Sequence, residues 1–266
     1  MPSPILFKGA GPANYEKYSG EPVLEPYALD LRDRLKNEHL RNVLELACGT
    51  GRVTRHLAPM IPPGGTLCAT DISEDMMNVA KSIVTGPDVN WQVADAQQLP
   101  FADARFDHVI CQYGVMFFED KLKAFREVSR VLEGGGTFVF NVWDSYESNP
   151  RSFLILRVLE NCFGEVPVKL KLPHSFHDRV EIERLLRAAG FGSFAIETVR
   201  KEARYKAVED IVNAFVTGSL SSDFLQEKPE GEQRDFKEKL RLELISAFGE
   251  KDIAIPMQAL VCQTVK

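Results

Sequence analysis

The chain has 266 residues, 44% hydrophobic and 26% charged, with a net charge of −6. Such a composition belongs to a globular protein, long enough to bury a sizeable core in one α/β domain with decorations. The acidic balance leaves no global basic field to hold nucleic acid or an anionic membrane.

Between residues 40 and 143 short apolar runs alternate with helical periods. "NVLELA" (42–47) is predicted to be a buried strand, "RVTRHLAPM" a helix that stops at "PPGG" (62–65), and "TLCATD" (66–71) a second strand. "SEDMMNVAKSIV" reads as a helix capped by Ser73, with Glu74 and Asp75 in the first turn where the dipole favours acids. "VNWQVADA" (89–96) and "FDHVICQYG" (106–114) are the third and fourth strands. A helix from Asp120 to Leu132 carries Leu122, Phe125, Val128 and Leu132 on one face. "GGG" (134–136) ends it, before a fifth strand "TFVFNVW" (137–143). This alternation predicts right-handed βαβ units and a parallel sheet covered on both faces.

Beyond residue 143 an apolar helix (151–163) and a loop are followed by a helix at 178–191, with Asp178 as its cap and Gly190 as its stop. Then come a long alternating strand (194–205), helical segments near 208–219 and 232–247, and a last strand (254–265) with Pro256 near its start.

The stretch "VLELACGTGRVTRHL" (43–57) carries the chemistry. A dinucleotide loop reads G-x-G-x-x-G, but Thr54 stands at the third glycine after Gly49 and Gly51. Glu45, Asp71 and Asp95 each end a predicted strand, so three carboxylates meet at the sheet edge where open α/β sheets bind ligands. With no basic residue nearby except Arg52, they suggest a nucleotide ligand without phosphates and with positive charge.

The block Asn42–Trp143 resembles a class I S-adenosylmethionine-dependent methyltransferase, most closely the small-molecule group that includes the ubiquinone and menaquinone C-methyltransferases. "VLELACGTG" is similar to that family's first motif, with Ala47 in place of its first glycine. "ATDIS", "VADAQQLPF" and "FDHVICQYGVMFFED" follow as the second, third and fourth. The resemblance implies a Rossmann-like seven-stranded, mostly parallel sheet with an antiparallel last hairpin, helices on both faces and helical lid segments. It divides the chain into an N-terminal helical lid segment (1–40), a cofactor-binding core (41–143), a lid insertion (144–178) and a C-terminal half that completes the sheet (179–266).

By the same resemblance, the Gly49–Gly51 turn and Ala47 lie under the methionine part of S-adenosylmethionine, and Glu45 orders the loop or meets the amino group. Asp71 binds the ribose hydroxyls, Ile72 packs on the adenine, and Asp95 with the Ala96 N–H reads the adenine edge. Gln112 faces the methionine part and the reacting sulfonium. Met76 covers the adenine or is plain core. Tyr15 and Tyr18 resemble aromatic residues of the family's N-terminal lid, Tyr15 toward the cofactor and Tyr18 toward the acceptor, with a helix face packed on the sheet as the alternative.

Tyr113, Phe117, Phe118 and His174 are candidates for the acceptor pocket. The H-x-x-H pair His174 and His177 has no third ligand, so no metal site is expected. His39 and His56 read as surface helix positions, and His108 lies inside the fourth strand. Cys48 sits beside a helix N-terminus that could depress its pKa, although loop packing accounts for it without any reactivity.

The implied activity is methyl transfer to a small-molecule acceptor by in-line displacement, leaving S-adenosylhomocysteine, with proximity and orientation as the main effects. The alternatives are a non-catalytic S-adenosylmethionine-binding regulatory protein and a nicotinamide-dependent oxidoreductase. A monomer or homodimer is expected, with no nucleic-acid partner.

Cys48, Cys68, Cys111, Cys162 and Cys262 are odd in number and form no C-x-x-C pair, which suits a reducing, cytoplasmic compartment. No signal-peptide pattern opens the sequence, and no apolar run reaches the roughly 18 to 20 residues of a membrane span.

Overall fold

The computed structural model describes residues 9–86, 88–218 and 220–266. The first eight residues of the expected lid segment, and residue 219, lie outside the described residues.

The strands are β1 (Asn42–Leu46), β2 (Thr66–Asp71), β3 (Val89–Val93), β4 (Phe106–Gln112), β5 (Leu132–Trp143), β6 (Ser193–Ala207) and β7 (Lys251–Val265). They form one seven-stranded sheet in the order β3-β2-β1-β4-β5-β7-β6. The first four pairings are parallel, and β7 runs antiparallel to both β5 and β6. The order reverses beside β1, so the crevice opens at the carboxyl ends of β1 and β4.

Successive residues of these strands enter opposite layers because a strand alternates its side chains. Val43, Leu67, Ile110, Val139 and Val261 pack under α2 (Glu25–Arg34) and α3 (Thr54–Leu57). Leu44, Cys68, Val109, Cys111 and Phe138 belong to the larger core with Phe125 and Val128 of α5 (Lys121–Val131) and Ile182 and Leu186 of α8 (Arg179–Ala188). Both faces being covered explains why β1 and β4 are rich in adjacent apolar residues, Val43-Leu44 and Val109-Ile110-Cys111.

Three helix starts follow from their caps. Ser73 accepts from the Met76 N–H at the start of α4 (Glu74–Ile83), Asp120 from Lys123 before α5, and Asp178 from Val180 before α8.

Some boundaries differ from the sequence expectation. The helix expected at 52–60 is a single turn, α3, continued by a 3₁₀ turn at Ala58–Met60. α5 stops at Val131, and Leu132 already starts β5, so the glycines lie within the strand and do not end the helix. At Gly136 a Cβ would stand 3.0 Å from the Asp107 carbonyl, so the run lets β5 approach β4. β3 ends at Val93, which moves Asp95 off the strand and into the turn beyond it. His39 lies in an exposed loop, not on a helix.

A second layer stands over the crevice. It is built from α1 (Gly11–Tyr15), a π-helical segment (Glu16–Leu24), α6 (Pro150–Phe163), α7 (Val168–Lys171), α9 (Val208–Thr217), α10 (Ser222–Gln226) and α11 (Glu230–Phe248). β6 and β7 outrun β5, pairing on from Arg200↔Gln258 to Ala207↔Lys251, and this ribbon supports the helices. Phe163, Phe215, Phe224 and Phe236 join α6, α9, α10 and α11 at ring separations of 5.5 to 5.9 Å. Pro256 lies in the part of β7 that pairs only with β6, where its missing N–H leaves no gap in a central ladder. Among the described residues no helix is long and apolar enough to cross a membrane.

Candidate active site

The turn after β1 takes the left-handed conformation at every second residue: Ala47 at φ 50°, Gly49 at 55° and Gly51 at 76°. Only glycine adopts it without strain, so Ala47 carries a backbone cost that the surrounding bonds must offset. Gly51 is needed for a second reason: a Cβ there would stand 2.8 Å from Val84 Cγ2 and 3.0 Å from Ala80 Cβ, so α4 packs directly on the turn.

Asp71, the last residue of β2, fixes this turn. Its Oδ2 accepts from the Gly49 N–H at 2.8 Å and its Oδ1 from the Ser73 N–H at 2.8 Å. Burial raises its pKa, against those N–H bonds, which favour the ionised form. Glu45 is 1% exposed and its Oε2 has no hydrogen-bond partner among the described residues. Burial pushes the Glu45 carboxyl up to about 8, with the neighbouring Asp71 charge acting in the same direction.

Most of the residues singled out from the sequence come together. Tyr15, Glu45, Ala47, Gly49, Asp71, Ile72, Met76, Asp95, Ala96 and Gln112 line one cavity. Gly51 does not line it and serves beneath the turn. The Asp95 Oδ1 accepts from the Gln97 N–H at 2.8 Å and also meets the Gln97 side-chain amide, so Asp95 organises its own turn as well as lining the cavity. Gln112 donates through Nε2 to the Leu24 carbonyl at 2.9 Å, tying β4 to the N-terminal segment, while its Oε1 is buried without a partner among the described residues. Cys48 departs from the depressed pKa considered above. It is buried, and burial with the Asp71 and Glu45 charges raises its pKa well above the ordinary thiol range.

A second cavity adjoins the first, and Tyr15, Leu24, Tyr113 and Phe117 line both. Tyr113 sits at the junction with φ 53°, a strained conformation for an aromatic residue. It is held by its N–H to the Asn141 Oδ1 at 2.9 Å and by stacking on Trp143 at 4.1 Å. Phe118 lines only the first cavity and His174 only the second.

Tyr18 lines neither cavity and lies beside the Lys17 ammonium. The π-helical segment, in which the Glu25 N–H bonds to the Gly20 carbonyl, steps by four to five residues and presents Tyr15, Ser19 and Val23 to the second cavity.

His174 is 5% exposed and its Nδ1 lies 2.6 Å from the Asp144 carbonyl oxygen. A carbonyl only accepts, so Nδ1 carries the proton and Nε2 holds a lone pair. Burial, with Arg151 nearby, pushes the His174 pKa down to about 4. His177 Nδ1 is bound to the His174 carbonyl at 2.8 Å, so the H-x-x-H pair is engaged by backbone.

The sequence reading missed two features. One is the set of cavity residues Trp143, Tyr146, Arg151 and Met257. The other is an ionic latch that closes the N-terminal segment onto the glycine turn. Glu16 pairs with Arg52 and Arg55 and accepts from the Thr50 hydroxyl at 2.6 Å. Glu25 takes Arg52 at 3.0 Å and His56 at 2.8 Å, so His56 is part of the latch and not a free surface residue. A Cβ at Gly20 would lie 2.0 Å from Arg52 Nη2, and its absence lets the segment close on Arg52.

Residues 44–140 match the Methyltransferase domain family. A demethylmenaquinone methyltransferase of Lactococcus lactis subsp. lactis is 30% identical over 165 residues, 56% of this chain and 65% of that one. A ubiquinone/menaquinone biosynthesis C-methyltransferase of Pasteurella multocida is 38% identical over 98 residues, 35% of this chain and 37% of its own length. Residues 44–140 are a methyltransferase domain. The chain spans a little under two thirds of the length of the first of these relatives.

The methyltransferase fold is shared with solved structures. A phosphoethanolamine N-methyltransferase of Haemonchus contortus in complex with S-adenosyl-L-methionine superposes with a TM-score of 0.61 at 17% identity, covering 99% of this chain and 58% of that one. The YcgJ protein of Bacillus subtilis gives 0.58 at 20% identity, covering 91% and 98%.

The methyltransferase cofactor, S-adenosylmethionine, fits the residues present. Glu45 Oε2 and Gln112 Oε1 are buried acceptors in want of donors, which an ammonium supplies. A pyrophosphate finds no such match, because Arg52 is already held by Glu16 and Glu25. That argues against a nicotinamide dinucleotide here, as does Thr54, fully buried where the dinucleotide motif has its third glycine.

Proposed function

We propose that this chain transfers a methyl group from S-adenosylmethionine to a largely apolar small-molecule acceptor held in the second cavity. The observation that carries the reading is the common wall. Tyr15, Leu24, Tyr113 and Phe117 face both cavities, so two ligands would meet end to end with water excluded between them.

When bound, S-adenosylmethionine supplies an electrophilic methyl on a sulfonium. Glu45 and Gln112 would hold its ammonium, Asp71 the ribose hydroxyls, and Asp95 with the Ala96 N–H the adenine edge. Ile72 and Met76 would enclose the ring. Tyr113, pinned by Asn141 and Trp143, would set the acceptor's approach. His174 would take the acceptor's proton at Nε2, since Asp144 holds its Nδ1–H. The names of the curated relatives support a quinone-like acceptor, and the aromatic and aliphatic walls suit one. The five unpaired cysteines suit a reducing compartment such as the cytoplasm.

The test is transfer of label from methyl-labelled S-adenosylmethionine to reduced quinones and apolar phenols, read in the organic extract. Transfer by the wild type, reduced about 100-fold or more in His174→Asn with S-adenosylhomocysteine affinity unchanged, is the expected result. Equal transfer by wild type and variant would remove the proton role, and no transfer to any acceptor would count against the function.

A further inference from the structure

The wall of the second cavity has an unusual charge pattern for a protein with a net charge of −6. Among the described residues that line it there is no aspartate or glutamate, and Arg151 is the sole arginine or lysine. Several other half-buried arginines of this chain are matched by acids, Arg52 by Glu16 and Glu25, Arg34 by Asp30 and Glu197, and Arg55 by Glu16, whereas Arg179 is held by the Ile196 carbonyl and the Thr198 hydroxyl. Arg151 forms no ion pair among the described residues. Its Nη1 donates to the Tyr205 hydroxyl, a neutral partner, and no acceptor among the described residues engages its Nε or Nη2.

Ile155, Leu156, Phe215 and Met257 line the same cavity, whose other polar side chains are neutral ones such as Asn149 and Ser152, and the guanidinium lies over the Tyr205 ring at 6.0 Å. An unmatched cation in such surroundings is costly unless a ligand brings the counter-ion, and guanidinium geometry suits a planar oxyanion best. His174 lines the same cavity, is 5% exposed, and its Nε2 lone pair meets no donor among the described residues, so it calls for a hydroxyl or other donor on the same ligand.

We infer that the acceptor site takes an organic anion, an apolar body bearing one carboxylate besides the group that is methylated, and that Arg151 is its counter-ion. This rests on the proposed methyl transfer and narrows it, because a cationic amine would meet like charge and a neutral acceptor would leave Arg151 unmatched. The anion also bears on the base. Arg151 contributes to holding His174 in its neutral form, and a matched Arg151 would relax that hold, so acceptor binding would strengthen the base that serves it.

The experiment uses three probes with one body: 4-butylbenzoate, 4-butylbenzyl alcohol and 4-butylbenzylamine. Each is titrated into the full chain saturated with S-adenosylhomocysteine, followed by calorimetry and by fluorescence of Trp143, which lines the cavity. The benzoate is expected to bind at least tenfold more tightly than the alcohol, with the amine weakest. Arg151→Gln is expected to shrink the preference below threefold with S-adenosylhomocysteine affinity unchanged, and Arg151→Lys to keep part of it.

Equal binding of benzoate and alcohol by the wild type, binding of none of the three, or an undiminished preference in a folded Arg151→Gln overturns the inference. The wild-type comparison stands without any variant. Failure to bind S-adenosylhomocysteine is a separate result, and it strikes the functional reading itself.

Discussion

Cofactor binding should release a proton, and Glu45 is the reason. Burial holds its carboxyl at about 8, so at pH 7 it is about 90% protonated in the ligand-free chain. A bound ammonium favours the ionised carboxylate and returns the pKa toward its ordinary 4.5, so binding at pH 7 expels up to about 0.9 proton. The ionised fraction in the ligand-free chain rises from about 1% at pH 6 to about 9% at pH 7, which makes the affinity about ninefold higher, roughly 1.3 kcal/mol. Above pH 8 the ligand's own α-ammonium begins to lose its proton and its charge, and the gain ends.

The assay is calorimetric titration with S-adenosylhomocysteine at pH 6 and pH 7 in buffers of different ionisation enthalpy. The dependence of observed heat on buffer gives the proton count directly. Glu45→Gln should bind with an affinity that does not change over this range. Stability carries the opposite sign. Between about 4.5 and 8 the folded, ligand-free chain holds a proton that the unfolded chain has lost, so its stability falls as pH rises through that window. Glu45→Gln should remove that fall. Release of fewer than about 0.3 proton at pH 7, or an affinity flat from pH 6 to 7, would refute the reasoning.

Three further outcomes are expected. Gly51→Ala combines a left-handed φ of 76° with a Cβ placed 2.8 Å from Val84 Cγ2, so urea denaturation should show a loss of about 2–4 kcal/mol. A loss under about 1 kcal/mol would mean that the turn relaxes freely. Arg52→Met leaves Glu16 and Glu25 half-buried without their shared cation, so stability should fall by about 1–3 kcal/mol and S-adenosylhomocysteine should dissociate faster in stopped flow. With His174 held near 4, acceptor kcat/KM at saturating S-adenosylmethionine should stay level down to about pH 5, whereas a limb near 6.5 would show an unperturbed imidazole.

The sheet was readable because its physics is local. Val43, Leu44 and Leu46 are buried because both faces of the sheet are covered, which leaves Glu45 as the one charge in a dense apolar stretch, and Asp71 marks where β2 leaves the core. Asp95 was placed one turn too early because the alternation of β3 continues past Val93, where pairing has already stopped. Tyr18 was grouped with Tyr15 because no residue pattern announces a π-helical step.

The latch was invisible for another reason. Arg52 meets Glu25 and Glu16 across 27 and 36 residues, and only the closed fold brings them together. In the sequence Arg151 is one charge at the start of an apolar helix, with nothing local to distinguish it. What sets it apart is the lack of an acid in a wall assembled from segments between residues 15 and 257, which composition does not report.

The central claim, that the glycine turn and its acids hold S-adenosylmethionine, is tested most directly by titrating the purified chain with S-adenosylmethionine, S-adenosylhomocysteine and NADH, repeated with Asp71→Asn. Micromolar binding of the first two, worth about −8 kcal/mol, with no heat from NADH and strong weakening in the variant, is the predicted result. Binding of NADH, or no binding of either S-adenosyl compound, would contradict the account.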